Sequence, residues 1–440
     1  MKKPFLILIA LLAASLNTQA QQVAFEEYKL DNGLHVILHQ DNTVPIVVTS
    51  VCYHVGAKDE NPERTGFAHF FEHLLFEGTK NIERGEWSKI VKSQGGKNNA
   101  TTSDDRTYYY EVFPSNSLET GLWLESERLL HPQITQVGVD TQNEVVKEEK
   151  RQRIDNRPYG RILEFMKKGL FKKHPYRWPA IGSMEHLDAA TLEEFLAFNK
   201  KFYVPNNAVL VVAGDFEKEN AKKLIEAYFG PIPRGADIEK TFPKEDPITE
   251  EFTITAYDPN IQLPAMIIGY RTPSFKTRDD KVLEMISTYL SGGKSSKLYK
   301  KLVDKEKKAL AVQAFNFSQE DYGMNAIFAI PLGKTTIAEV VAGIDQEIEK
   351  LQTELISERD FEKLQNQFEN NFVNANASIE GIAGSLATYY LLHGDTNLIN
   401  TEIDIYRSIT REDIKEVANK YLKKNQRMIL KYLPKEQENQ

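Results

Sequence analysis

The sequence repeats itself at one spacing. Thr191-Leu192-Glu193-Glu194-Phe195 and Thr410-Arg411-Glu412-Asp413-Ile414 lie 219 positions apart. At the same offset Phe198 falls on Val417, Lys201 on Lys420, Phe202 on Tyr421 and Asn206 on Asn425. The apolar runs 209–212 and 428–430 coincide, and Pro45 falls on Pro264, each opening a β-rich run. Matches this far apart at a single offset argue for two copies of one domain. Each copy reads as a helix capped by Thr with an acid following, then a loop, then a strand. At 440 residues the chain is too long for one ordinary core, and duplication answers that too.

Strand-like runs cover 36–38, 46–53, 108–113 and 324–330; helix-like runs cover 66–76, 143–153, 281–290 and 361–372. They do not alternate as strict βαβ units. The expected fold is therefore α+β, two homologous domains, each a mainly antiparallel sheet packed with helices. The Pro-, Lys- and Asp-containing stretch 231–250 has a linker composition. It would separate an N-terminal domain, 21–230, from a C-terminal one, 251–434, with a polar tail at 435–440.

Residues 1–20 are a separate matter. Met1-Lys2-Lys3 is followed by an apolar run over 5–16 and by Thr18-Gln19-Ala20, the pattern of a secretory signal cut after Ala20. The run is shorter than the ~20 residues a membrane span needs, and no later stretch qualifies. No cysteine follows it to carry a lipid. The expected location is the periplasm or the exterior. Cys52 is the single cysteine, so an intrachain disulfide and a multi-cysteine metal site are both excluded. Any metal must be held by His, Asp and Glu. A net charge of −8 gives no support for nucleic-acid binding, which wants a basic stripe.

His69-Phe70-Phe71-Glu72-His73 lies in an apolar run of helical length. Residues four apart stand about 40° apart around a helix, so both imidazoles can reach one cation. Glu72 lies beside them and can face a water instead of the metal. This H-x-x-E-H order, the inverse of H-E-x-x-H, is that of zinc peptidases. Over five residues alone, two helix histidines beside a surface acid would look the same.

The surrounding segments resemble the pitrilysin-like inverzincin family, which includes the mitochondrial processing peptidases. The resemblance runs through Leu30-Asp31-Asn32-Gly33-Leu34, Val55-Gly56-Ala57, Glu60 and Thr65-Gly66-Phe67-Ala68-His69-Phe70-Phe71-Glu72-His73-Leu74-Leu75-Phe76-Glu77-Gly78-Thr79. It continues at Gly95-Gly96-Lys97-Asn98-Asn99-Ala100-Thr101-Thr102 and His174-Pro175-Tyr176, and covers essentially the whole chain after the leader. It implies duplicated α+β domains forming a clamshell. It also implies a peptidase with one zinc per chain, held by His69, His73 and a Glu on a later helix. That Glu, 76 positions after His73, is Glu149. Glu148 is the rival, but adjacent helical residues point about 100° apart, so only one can bind. Val145 and Gln152 flank Glu149 and suggest an inward stripe. The family's bracing acid seven residues before the ligand is here Gln142, which can hydrogen-bond but brings no charge; Glu144 is the nearby acid that could compensate. Glu72 is the expected general base. At the 219-residue offset His69, Glu72 and His73 become Thr288, Ser291 and Gly292, so the second copy has no such site. The other seven histidines read as structural.

The resemblance makes 98–113 a turn feeding an edge strand that pairs with an extended or unfolded peptide, with Asn99, Ala100 and Thr101 beside the scissile bond. It also exposes a gap. Self-sufficient relatives carry an Arg and a Tyr after a Gly-Gly-x-Ser-Ser segment. Here, after Gly292-Gly293-Lys294-Ser295-Ser296, those positions hold Val303 and, near the Tyr, Ala311-Val312. Either a nearby Lys305 or Tyr299 substitutes, or a homologous subunit supplies the pair, or a homo-oligomer forms. A non-catalytic or structural subunit of a processing-peptidase-like complex is the alternative reading. The intact His69, Glu72, His73 and Glu149 favour the enzyme.

Overall fold

The computed structural model of the chain describes residues 22–434; the expected leader and the polar tail lie outside them. Strands β1 (Glu26–Lys29), β2 (His35–Gln40), β3 (Ile46–Tyr53), β4 (Lys97–Thr102), β5 (Thr107–Pro114) and β6 (Ala208–Gly214) form one sheet in the order β1-β2-β6-β3-β5-β4. Strands β7 (Phe252–Asp258), β8 (Ala265–Pro273), β9 (Ala309–Phe317), β10 (Tyr322–Pro331) and β11 (Arg427–Pro434) form a second, in the order β7-β11-β8-β10-β9. Apart from β1 the two orders are one order written twice, and the 219-residue offset carries β3 onto β8 and β6 onto β11. Only β2 with β6 and β7 with β11 run parallel. The other pairs are antiparallel.

The helices that matter for the site are α1 (Phe67–Leu74), α2 (Gln136–Lys150), α3 (Ile162–Leu170), α4 (Leu192–Phe202), α5 (Arg278–Ser291), α6 (Ile379–Thr388) and α7 (Arg411–Tyr421). The repeat is most literal at α4 and α7. Thr191 and Glu194 exchange hydrogen bonds at the start of α4, and Thr410 and Asp413 do the same at α7. In each, the hydroxyl accepts from the third helical N–H and the acid accepts from the Thr N–H, satisfying two donors that would otherwise be orphaned.

Each half has a core between its sheet and its own helices. Phe67, Phe70 and Phe71 of α1 meet Phe195 of α4 in the first; Leu283 and Ile286 of α5 meet Ile414 and Val417 of α7 in the second. Two further cores cross between the halves. Ile379, Ile382, Ala383 and Leu386 of α6 lie on the back of the first sheet, against Val48, Cys52, Val209 and Val211. Met166 and Leu170 of α3 lie in return on the second sheet, against Ile267, Met428 and Leu430. Gly169 lets α3 come this close, because a Cβ there would stand 2.0 Å from the Met428 sulfur. A fully buried side chain of this size contributes about 1.5–3 kcal/mol. The few on an exchanged helix together approach the ~5–15 kcal/mol of a domain's net stability.

The stretch 231–251 holds no helix or strand, yet it is pinned along its length. Lys240 donates to the His54 carbonyl at 2.6 Å, and Glu245 accepts from the N–H groups of Lys172, Lys173 and His174 at 2.7, 2.6 and 2.7 Å. Among the described residues no helix is long and apolar enough to cross a membrane.

Candidate active site

Helix α1 buries Phe67, Ala68, Phe70, Phe71 and Leu74, and this fixes its rotation. His69, Glu72 and His73 are left on the remaining side, facing α2 and β4. Gly66 opens the helix in the left-handed region at φ +101°, where a Cβ would stand 2.8 Å from the Ile181 carbonyl oxygen. The cap comes from outside the helix. The buried Glu60 carboxyl accepts from the N–H groups of Gly66 and Ala68 at 2.8 and 2.9 Å, satisfying donors that the helix start would otherwise leave orphaned. From the sheet side the Tyr109 hydroxyl donates to the Phe71 carbonyl at 2.8 Å.

Helix α2 brings Glu149 onto this face. Glu149 Oε2 lies 3.0 Å from His73 Nε2 and 3.6 Å from His69 Nε2. Among the described residues these three form a group whose donor atoms all lie within 4.8 Å of one another. Ligands at about 2.0–2.1 Å from a tetrahedral zinc stand roughly 3.3 Å apart, so the trio fits that ion and leaves one position open. The charge states fit as well. Burial, then the neighbouring His73, pushes His69 down to about 4, so its ring is neutral with a free lone pair. The His73 hydrogen bond holds the Glu149 carboxyl below its ordinary value despite partial burial. Glu148 points outward, 53% exposed, to Arg151 and Gln152. Arg153, from the π-helical turn Arg151–Asp155 that continues α2, takes the other Glu149 oxygen at 2.6 Å.

Glu72 stands apart from the trio. Its Oε2 accepts a hydrogen bond from Thr102 Oγ1 at 2.5 Å. Burial raises its carboxyl above the ordinary value, and the Thr102 hydroxyl opposes that. A carboxylate oriented by a hydroxyl beside an open metal position can hold and pass a proton.

Thr102 ends β4, the outermost strand of its sheet. Asn99, Ala100 and Thr101 pair with Tyr110, Tyr109 and Tyr108 of β5, and the other edge of β4 has no strand partner. Asn99 and Thr101 are exposed and Ala100 is buried. An unpaired edge offers its N–H and C=O groups to an incoming chain.

Two expectations about bracing fail. Gln142 donates to Glu77, which also takes Arg84, and so reaches the segment after α1 instead of a member of the trio. Glu144 is 71% exposed and paired with Lys147; five positions before Glu149, it stands about 140° away around the helix. The inward stripe is also rotated. Val145 and Gln152 are exposed, and α2 buries Gly138, Val139 and Val146 instead. Glu149 therefore sits at the margin of the buried face. Sequence reasoning missed Thr102, Arg153 and the capping role of Glu60. For Thr102 there was a signal: strand alternation puts it on the same face as Ala100.

The remaining histidines make other contacts. His35 stacks on Tyr390, His39 bonds the Ala24 carbonyl and His54 bonds Glu320. His131 faces Glu127, His174 accepts from the Tyr176 N–H, His186 bonds Thr65 and His393 stacks on Phe275. In the second half Thr288 and Ser291 belong to α5 and offer no ligand set with Gly292. Val303 packs on the second core, and Ala311 and Val312 belong to β9.

Known proteins share this fold. Residues 35–182 match the family described as Insulinase (Peptidase family M16), and residues 189–368 match Peptidase M16 inactive domain. The zinc protease PqqE of Helicobacter pylori is 31% identical over 431 residues, covering 96% of this chain and 95% of that one. The crystal structure of a protease from Helicobacter pylori superposes with a TM-score of 0.86 at 28% identity, over 93% of this chain and 99% of that one. The periplasmic protease PqqL from Escherichia coli shares the fold, with a TM-score of 0.77 at 18% identity, over 93% of this chain and 47% of that one. With both halves matched and a relative above 30% identity along nearly its whole length, the chain belongs to the M16, or insulinase, family of zinc peptidases.

Proposed function

We propose that the chain is a secreted or periplasmic endopeptidase that cuts extended or unfolded peptides, with one zinc held by His69, His73 and Glu149 and with Glu72 as general base. One juxtaposition carries the reading: the Glu72 carboxylate, outside the ligand trio, is tied through Thr102 to the end of an unpaired edge strand. Zinc bound to the trio would supply Lewis-acid activation of water and of the peptide carbonyl. The chain's own groups do the rest. Backbone pairing along β4 holds an extended peptide with little demand on its sequence, and Asn99, Ala100 and Thr101 lie beside the bond to be cut. Glu72 accepts the proton of the attacking water and hands it to the leaving amine. Thr102 keeps the carboxylate aimed during both transfers. The leader pattern supports export.

Oxyanion donors are the missing part. Val303, Ala311 and Val312 have no polar side chain to offer, and losing one such donor can cost ~10²–10³-fold. A homologous subunit bearing the Arg/Tyr pair would complete the site; a homo-oligomer is the simpler alternative. The test is to purify the chain, measure its zinc and assay it on an unstructured peptide, alone and with such a subunit. Zinc-loaded protein that cleaves nothing in either state would leave the reading of a non-catalytic subunit.

A further inference from the structure

Between the halves, two hairpin turns are locked together. One is the turn 103–106 between β4 and β5; the other is the turn 318–321 between β9 and β10, in the half that carries no metal ligands. The Glu320 N–H donates to Asp105 Oδ2 at 3.1 Å, and the Gln319 side-chain amide donates to Asp104. Lys58, with 1% of its side chain exposed, reaches Asp105 at 3.0 Å, Glu320 at 2.7 Å and Asp321 at 3.0 Å. The Tyr176 hydroxyl donates to Asp105 at 2.5 Å and accepts from the Asp321 N–H at 3.1 Å. Lys167 holds Asp104 at 2.7 Å. The backbone joins in, since Ala57 and Lys58 donate to the carbonyls of Ser103 and Asp104 at 3.1 and 3.0 Å. Gly56 permits that approach, because a Cβ there would stand 2.5 Å from the Asp104 carbonyl.

The clamped Asp104 and Asp105 lie two and three positions after Thr102. A turn held on every side fixes the end of β4, and the end of β4 fixes the hydroxyl on which Glu72 rests. We propose that the 318–321 turn of the second half is a positioning element for the reaction: by clamping Asp104 and Asp105 it sets Thr102, and through Thr102 it aims the Glu72 carboxylate. The inference rests on the peptidase reading above and gives the half without metal ligands a part in the chemistry. Its residues do not touch the substrate; they act through Thr102.

A double-mutant cycle between Gln319→Ala and Thr102→Val tests it, on zinc-loaded full-length protein with a fluorogenic unstructured peptide and the complementing subunit if turnover requires it. Gln319→Ala alone should lower kcat about ten-fold, a part of the ~10²-fold that a 1 Å misplacement can cost, and leave KM and zinc content unchanged. On the Thr102→Val background the same change should cost less than about two-fold more, because interactions in series are not additive. Thr102→Ser, which keeps the hydroxyl, should restore the full Gln319 effect. Losses that simply multiply, or a Gln319→Ala protein with wild-type kcat, would overturn the proposal. Hydrogen exchange over 100–106 supplies a readout that needs no turnover. It should quicken in Gln319→Ala, and unchanged protection would overturn the proposal as well. A wild-type protein that cleaves no peptide would refute the peptidase reading itself, and this inference with it. An active wild type with a multiplicative cycle refutes the inference alone.

Discussion

Replacing Glu72 by Gln separates the base from the metal site. The change is nearly isosteric, and Thr102 can still donate to the amide oxygen, so the side chain keeps its place at the end of β4. What disappears is the ability to accept a proton. Losing a general base costs ~10²–10⁴-fold, which is about 2.7–5.5 kcal/mol of transition-state stabilisation. Stability should move the other way or not at all. Burial raises the Glu72 carboxyl, so its ionised form is less favourable in the folded chain than in the unfolded one. A raised carboxyl costs stability as pH climbs from its unfolded value through its folded one. The neutral amide removes it, and the Glu72→Gln protein should melt no lower than wild type at pH 7. The assay is kcat/KM on an unstructured fluorogenic peptide, with zinc by mass spectrometry and a thermal melt on the same preparations. Cleavage within a few-fold of wild type, with zinc retained, would refute the general-base assignment. Loss of zinc would show that Glu72 is a ligand instead.

Glu149→Gln should strip the zinc while Glu148→Gln keeps it; metal analysis of the two purified proteins decides, and the reverse result would move the ligand to Glu148. Turnover by the isolated chain should be weak and rise strongly on adding a homologous subunit with the Arg/Tyr pair; full activity alone, unchanged on mixing, would exclude the partner. Arg128 is fully buried, 3.0 Å from Glu111 and 3.2 Å from Glu125, so Arg128→Met should cost about 3–5 kcal/mol in urea unfolding by leaving this buried pair of acids without its cation. Burial alone would raise the Glu320 carboxyl, but the His54 hydrogen bond and the Lys58 ammonium hold it well below the carboxylate range. A depressed carboxyl stabilises the fold above its unfolded value of about 4.3 and stops doing so as pH falls through its folded one. The stability gap between wild type and Glu320→Gln should therefore still be open at pH 5 and close only in stronger acid; a gap that does not close in acid would contradict the ion-pair account.

The repeat was legible because α4 and α7 keep both their capping boxes and their offset, and because β3 and β6 are apolar along nearly their whole length. The trio was legible in part from helical geometry and in part from resemblance. Spacing put His69 and His73 together, but nothing local told Glu149 from Glu148. Strand β9 escaped notice because it is a sheet edge: of its nine residues only Ala309 and Val312 are buried, and Leu310 and Phe315 face out. Thr102 escaped because strand alternation gives its face but not its partner, a residue 30 positions away. The misplaced brace had a similar cause. Whether Glu144 faces the site depends on how α2 rotates about Val146, which its neighbours on α1 decide and its own sequence does not. The clamp at Lys58 joins residues more than 200 positions apart, and charged side chains at such a spacing read as ordinary surface until the fold buries them.

The exchange of α3 and α6 makes each half a poor protein on its own. A first half without its counterpart would leave the back of its sheet bare and its α3 with no sheet to cover; the second half would be short by the same amount. Cutting the chain within 231–250 should therefore give fragments that stay associated and melt together, and that reconstitute from denaturant only when mixed. The topology is that of two half-length chains which traded a helix and were later joined end to end. Neither member of such a pair could cover its own sheet, so each would need the other to fold.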